Sequence, residues 1–131
     1  MPPHALPYPS GRELEVMHVL WELEDGDIKE ILAMFNDLYP PPVSYFTMAT
    51  MLRRLYRKRY VHVEVRRGRN RYVPGIERER ARNDAIDRVI DEWFGHDLLA
   101  LVRIMQERLD QRAARIARRQ KLAAQRRAGG T

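Results

Sequence analysis

The stretch Ser44-Tyr45-Phe46-Thr47-Met48-Ala49-Thr50-Met51-Leu52-Arg53-Arg54-Leu55-Tyr56-Arg57 decides how the rest of the chain is read. Ser44 follows Pro40-Pro41-Pro42, which no helix can run through, and its hydroxyl can satisfy a free amide of a new first turn. The pattern predicts a helix from Tyr45 to about Arg59. At about 100° per residue, Met48, Met51, Leu52, Leu55 and Tyr56 fall on one apolar arc. Phe46, Thr47, Thr50, Arg53, Arg54 and Arg57 fall on the opposing arc. One side is expected to enter a core and the other to offer arginines and threonines outward.

Upstream, Leu14, Met17, Leu20 and Trp21 recur at helical spacing from about Arg12 to Glu24, with Ser10 as N-cap and Asp25-Gly26 as breaker. Asp27, followed three residues later by Glu30, starts a short second helix that turns Ile28, Ile31, Leu32 and Phe35 inward. Downstream, Tyr60 to Val65 alternates with the period of a strand, and Arg71-Tyr72-Val73 begins a second strand before Pro74. Between them Arg66-Arg67-Gly68-Arg69-Asn70 reads as a turn, with Gly68 and Asn70 as the residues tolerant of positive φ. Three helices followed by a basic two-stranded ribbon is the order of a winged helix-turn-helix.

A fourth helix is expected from about Ile76 to Phe94, presenting Ala81 or Ala85, Ile86, Val89, Ile90 and Trp93, with Gly95 as its stop. In a fifth, Leu98, Val102, Met105, Leu109 and Ile116 follow heptad-like spacing that thins into Ala123. The fold class is therefore mainly α with a small β-wing, a winged helix-turn-helix followed by C-terminal dimerisation helices. Residues 10–75 form the winged domain and 76–119 the dimerisation region, whose seam is assigned to Ile86, Val89, Ile90, Trp93, Leu98, Val102, Met105 and Leu109. Residues 1–9 and 120–131 are expected to be flexible tails, the latter because they lack large apolar anchors.

The 131 residues, 44% hydrophobic and 32% charged, leave room for one modest core and make a multidomain enzyme an unfitting expectation. Absence of cysteine excludes disulfide frameworks, thiolate metal sites and a cysteine nucleophile. No apolar run approaches the roughly 18 residues of a membrane span, and the proline-rich start carries no secretion signal, so a soluble, cytoplasmic chain is expected. The net charge of +6 is blocked along the chain. Residues 1–52 hold two cations against eight anions, 53–82 twelve against three, 83–102 one against five, and 103–131 nine against two. Positive blocks of this density attract polyanions, nucleic acid foremost, although a solvated arginine-rich surface is the plainer alternative.

His4, His18, His62 and His96 lie on separate elements with no ligand spacing, so no metal and no cofactor is expected. Asp84, Asp87 and Asp91 read as an exposed helix face, and no nucleophile or phosphate-loop context is present. The chain is not expected to be an enzyme. Double-stranded DNA is the expected partner. Phe46, Thr47, Thr50, Arg53 and Arg54 are candidates for reaching base edges, and Arg57, Lys58, Arg66, Arg67, Arg69 and Arg71 for meeting phosphates. Thr47 could instead serve the helix cap, and Phe46 could be a core aromatic.

The run Leu14-Glu15-Val16-Met17-His18-Val19-Leu20-Trp21, the run Thr47 to Leu55, the Lys58 to Tyr60 junction and Arg69-Asn70-Arg71-Tyr72-Val73-Pro74 together resemble the penicillinase repressor family of winged-helix regulators, over about residues 10–105. The resemblance implies a homodimeric repressor that binds an inverted-repeat operator and is held together by its C-terminal helices. It also implies a membrane sensor protease as partner, which induces by cutting those helices. Three departures stand out. Arg59 occupies a position that is usually glycine, implying a looser or differently turned end to the third helix. The usual Asn-Phe cleavage pair is not apparent near Val102-Arg103-Ile104, and the triple proline lengthens the turn before the third helix. The rival expectation is a winged-helix protein-interaction module with a C-terminal coiled coil and a nonspecific basic tail.

Overall fold

A computed structural model describes residues 7–129. Its elements are α1 (Gly11–Leu23), α2 (Ile28–Leu38), α3 (Tyr45–Arg57), β1 (Val61–Arg66), β2 (Arg69–Pro74), α4 (Arg78–Phe94) and α5 (Leu98–Gly129). The chain divides into two compact units, Met1–Ile86 and Asp87–Thr131.

In the first unit α1, α2 and α3 each start where the cap residue dictates. Ser10 accepts from the Glu13 N–H while the Glu13 carboxylate accepts from the Ser10 N–H, a complete capping box. Asp27 accepts from the Glu30 N–H at 2.8 Å, and Ser44 accepts from the Thr47 N–H at 3.1 Å. The turn between α2 and α3 is fixed by side chains. Asn36 exchanges two hydrogen bonds with the Val43 backbone, and Arg12 donates to the carbonyls of Tyr39 and Pro41.

The core joins Val16, Met17, Val19 and Leu20 of α1, Ile31 and Phe35 of α2, and Met48, Met51, Leu52 and Leu55 of α3, closed by Tyr60, Val61 and Ile76. Four of the five residues assigned to the apolar arc of α3 are buried. Tyr56 is instead exposed, because it sits at the edge of that arc and its hydroxyl stays in water.

Helix α3 ends two residues earlier than its sequence pattern implies. Arg59 adopts φ 67°, its N–H donates to the Tyr56 carbonyl at 3.1 Å, and the Tyr60 N–H donates to the Leu55 carbonyl at 2.9 Å. This is the Schellman closure that glycine usually serves, with Tyr60 and Leu55 both buried beside it. The expected loosening does not occur; the arginine takes the left-handed conformation itself. Gly75 packs against this turn, its N–H on the Tyr60 carbonyl at 2.7 Å, and a Cβ there would come within 2.9 Å of the Arg59 carbonyl oxygen.

The ribbon pairs Val61 with Pro74 through to Arg66 with Arg69, antiparallel. Its loop is the two residues Arg67 and Gly68, both at positive φ (52° and 74°). The shorter loop corrects the five-residue turn read from sequence: Asn70 pairs with Val65 inside the ladder, and Arg67 takes the left-handed position. Gly26 adds a bridge to Tyr72, with N–H to O distances of 3.0 and 2.7 Å, so the loop after α1 anchors the ribbon.

Helix α4 begins at Arg78 because Ile76 is drawn into the core, where its carbonyl accepts from the Trp21 indole N–H at 2.9 Å. Sequence places the domain boundary at 75, whereas the first unit extends to Ile86, Ala81 packing against the same core.

In the second unit, Gly95 (φ 55°) and His96 (φ 68°) stop α4, and Asp97 caps α5 by accepting from the Ala100 N–H at 3.2 Å. Helix α5 continues to Gly129, through most of the segment expected to be a tail. Gln, Lys, Leu, Ala and Arg fill residues 120–128, all strong helix formers, so propensity alone favours continuation where no packing does. The other expected tail, residues 1–9, lies partly outside the described residues, as do residues 130 and 131.

Candidate nucleic-acid interface

With Met48, Met51, Leu52 and Leu55 turned into the core, helical geometry sends Phe46, Thr47, Arg53, Arg54 and Arg57 the other way. All five are exposed, Phe46 by 76%. Phe46 is therefore not a core aromatic. Thr47 does serve the cap in part, its hydroxyl oxygen accepting from the Ser44 hydroxyl at 3.1 Å while its side chain stays exposed. Thr50 is half-buried and donates its hydroxyl to the Phe46 carbonyl at 3.1 Å, leaving its methyl free to make an apolar contact. Among the described residues no ion pair engages Arg53, Arg54 or Arg57.

The ribbon lies next to this helix. Tyr45 at the start of α3 lines one groove with Lys29 of α2 and Arg69, Asn70 and Tyr72 of β2. Burial pushes the Tyr72 phenol above its ordinary pKa, nearby Tyr45 reinforces the shift, and Arg53 opposes it, so the three share one local field. Tyr45, Lys29 and Asn70 were not among the residues that sequence offered as DNA contacts. Tyr45 could have been found from its place beside Phe46 in an exposed first turn; Lys29 carries no signal that separates it from any surface lysine.

The ladder register puts Arg66, Arg69 and Arg71 on one face of the ribbon, with Glu64. These arginines are not equivalent. Arg71 is held by Asp25, its Nε 2.8 Å from Oδ1, and also reaches Glu30. The Arg71 hydrogen bond holds the Asp25 carboxyl below the usual carboxylate range against the opposing effect of burial, with the Arg71 and Arg66 charges assisting. Arg66 pairs with Glu64 at 2.7 Å and more loosely with Asp25 at 3.4 Å. Arg67 at the tip and Arg69 are exposed, and no ion pair engages either among the described residues. Asp25, Asp27 and Glu30 line a common groove with all four wing arginines.

Lys58 is likewise committed. Its Nζ lies 2.7 and 2.9 Å from the two carboxylate oxygens of Glu13, a side chain that is 3% exposed. Burial pushes the Glu13 carboxyl up, but Lys58 and Ser10 together outweigh it and hold the pKa below its ordinary value. This pair ties the end of α3 to the start of α1. Of the eleven residues proposed from sequence, eight carry no ion pair among the described residues, while Lys58, Arg66 and Arg71 are paired with Glu13, Glu64 and Asp25.

The proposed dimerisation residues are open to solvent to different degrees. Within α4, Ile86, Val89 and Trp93 are exposed and Ile90 half-buried; within α5, Leu98, Val102, Met105 and Leu109 are all exposed. No helix among the described residues is long and apolar enough to cross a membrane.

Comparison with known proteins gives one family and a handful of structures. Six chains of solved structure match; one is the solution structure of the Bacillus licheniformis BlaI monomeric form in complex with the blaP half-operator. It is 28% identical, with 56% of this chain and 88% of that chain covered and a TM-score of 0.49. No curated protein matches. The family model described as penicillinase repressor matches residues 9–125, nearly the whole length from the α1 cap through most of α5, and the chain belongs to that family.

Proposed function

We propose that this DNA-binding repressor acts as a two-fold dimer on an inverted-repeat operator, with α3 reading base edges in the major groove and the ribbon gripping the flanking backbone. The observation that carries the reading is the division of α3. One side is sealed in the core by four residues, and the other presents Phe46, Thr47, Arg53, Arg54 and Arg57 to solvent with the arginines unpaired among the described residues. An arginine can bond bidentately to guanine, while the Thr50 methyl or Phe46 can meet a thymine methyl. Arg57, Arg67 and Arg69 supply exposed charge for phosphates, and Arg66 supplies more if its Glu64 pairing yields.

Dimerisation is supported by the row of large apolar side chains left exposed on α4 and α5, which a monomer would have to keep in water. A two-fold pair would set its recognition helices about 34 Å apart, one turn of DNA, so the operator is expected to be near-palindromic.

The test is a titration of a palindromic promoter fragment against a scrambled duplex at two salt concentrations. A preference for the palindrome that persists at higher salt supports the reading. Equal affinity for both duplexes under both conditions would refute sequence-specific recognition.

A further inference from the structure

The apolar seam of α5 steps Leu98, Val102, Met105, Leu109, alternating four and three residues. Continued, the same step lands on Arg112, Ile116, Arg119, Ala123 and Arg126. Two parallel copies of α5 would thus set arginine against arginine at three places along the seam. Pairing can extend through Leu109 and is opposed beyond it.

Beyond that point the helix still runs to Gly129. Residues 111–129 contain Arg112, Arg115, Arg118, Arg119, Lys121, Arg126 and Arg127 and no acidic residue. Every one of these side chains is exposed, and among the described residues none is ion-paired. Neighbours such as Arg115 and Arg119 repel across one turn, a few tenths of a kcal/mol per pair, which an external polyanion would relieve. Arg112, Arg115, Arg119 and Arg126 fall within about 60° of one another around the axis and span about 21 Å along it. Arg108 extends the row backward, lining a groove with Arg112 and Arg115.

The chemistry of the partner follows from what this segment lacks. Its only large apolar residues, Ile116 and Leu122, lie about 120° apart around the helix. There is no apolar stripe to enter a bilayer interface or a protein groove, whereas a row of guanidinium groups needs only a line of phosphates. We propose that residues 111–129 of α5 form a second nucleic-acid contact, gripping the backbone of duplex DNA regardless of sequence. It does not depend on the operator reading assigned to α3.

The experiment compares the full chain with a variant carrying R112Q, R115Q, R119Q and R126Q, and with its counterpart carrying lysine at the same four positions. Glutamine keeps helix propensity, and circular dichroism confirms that helix content is retained. Binding to a scrambled duplex is measured against salt. Every phosphate that is no longer neutralised should lower the slope of log K against log salt by about 0.9, so the glutamine variant should shed up to about 3.6 units of slope. The lysine variant should retain the slope, and the preference for operator over scrambled duplex should be the same in all three proteins. A slope unchanged by glutamine overturns the proposal, as does a loss seen only with phosphatidylserine vesicles and not with DNA. If no protein prefers the operator yet the slope difference persists, the operator reading falls and this contact stands.

Discussion

Arg54 and Arg69 are both exposed guanidinium groups without an ion-pair partner among the described residues, yet they should fail differently when removed. Arg54 projects from the recognition helix, so Arg54→Ala should lower affinity for the operator by about 1–3 kcal/mol and leave scrambled DNA nearly unaffected. Arg69 lies in the ribbon, and Arg69→Ala should weaken operator and scrambled duplex alike and flatten the salt dependence by about 0.9 in slope, the share of a single phosphate. Fluorescence anisotropy with the two duplexes separates these outcomes. Lys58 and Arg71 look identical to them in sequence because the acids that claim them, Glu13 and Asp25, lie 45 and 46 residues away. Charge counted along the chain cannot show which cations are neutralised across the fold. A further expectation follows for Glu13. Its folded pKa is lowered below 4.5, so the stability it contributes is complete above the unfolded value and disappears as pH falls through the folded one. Glu13→Gln should cost about 1–3 kcal/mol at neutral pH by leaving Lys58 without its charged partner. In urea melts this difference should narrow in acid, and an equal deficit at both pH values would contradict it.

At the level of elements, the helices were legible because their beginnings are written in side-chain chemistry. Ser10, Asp27 and Ser44 each cap the helix expected of them. Ends and turns were less legible, since they depend on backbone conformations that individual residues adopt against preference. Arg59 and Arg67 both stand at positive φ, where glycine or asparagine is usual, and no local pattern announces that an arginine will do so. Holding an L-residue in the left-handed region costs about 1–2 kcal/mol, while glycine adds about 0.4–1 kcal/mol of unfolded-state entropy to be overcome. Arg59→Gly should therefore raise stability by about 0.5–1 kcal/mol without altering operator affinity. A lowered melting temperature would show that the arginine side chain makes a stabilising contact outweighing the strain. Arg67 is bound by a different constraint. Arg67→Asn suits a type I′ loop better and should stabilise the ribbon, yet it removes an exposed charge and should weaken DNA binding together with that gain.

Across the whole molecule, the same feature that thins the sequence signal gives the protein its expected assembly. The winged unit supplies its own core, and its order of elements was readable from helical and strand periods together with the caps. The second unit has no buried residue in α5, so its seam could be read from spacing but its closure could not, because nothing among the described residues covers it. Leu98, Leu99 and Leu109 are each more than half exposed, and Trp93 at the end of α4 is 78% exposed. If a second copy covers the seam, a charge placed within it must be desolvated twice over by the two-fold symmetry. Leu109→Asp or Met105→Asp should then give monomers in sedimentation equilibrium at concentrations where the unaltered chain is a dimer. Thermal unfolding of the winged unit should stay nearly unchanged, since neither residue enters its core. Operator affinity should fall far more than half-site affinity, because two linked recognition helices bind an inverted repeat with an effective concentration that one helix lacks. A dimer mass unchanged by both substitutions would place the interface elsewhere. A monomer that retained full operator affinity would break the link between assembly and recognition.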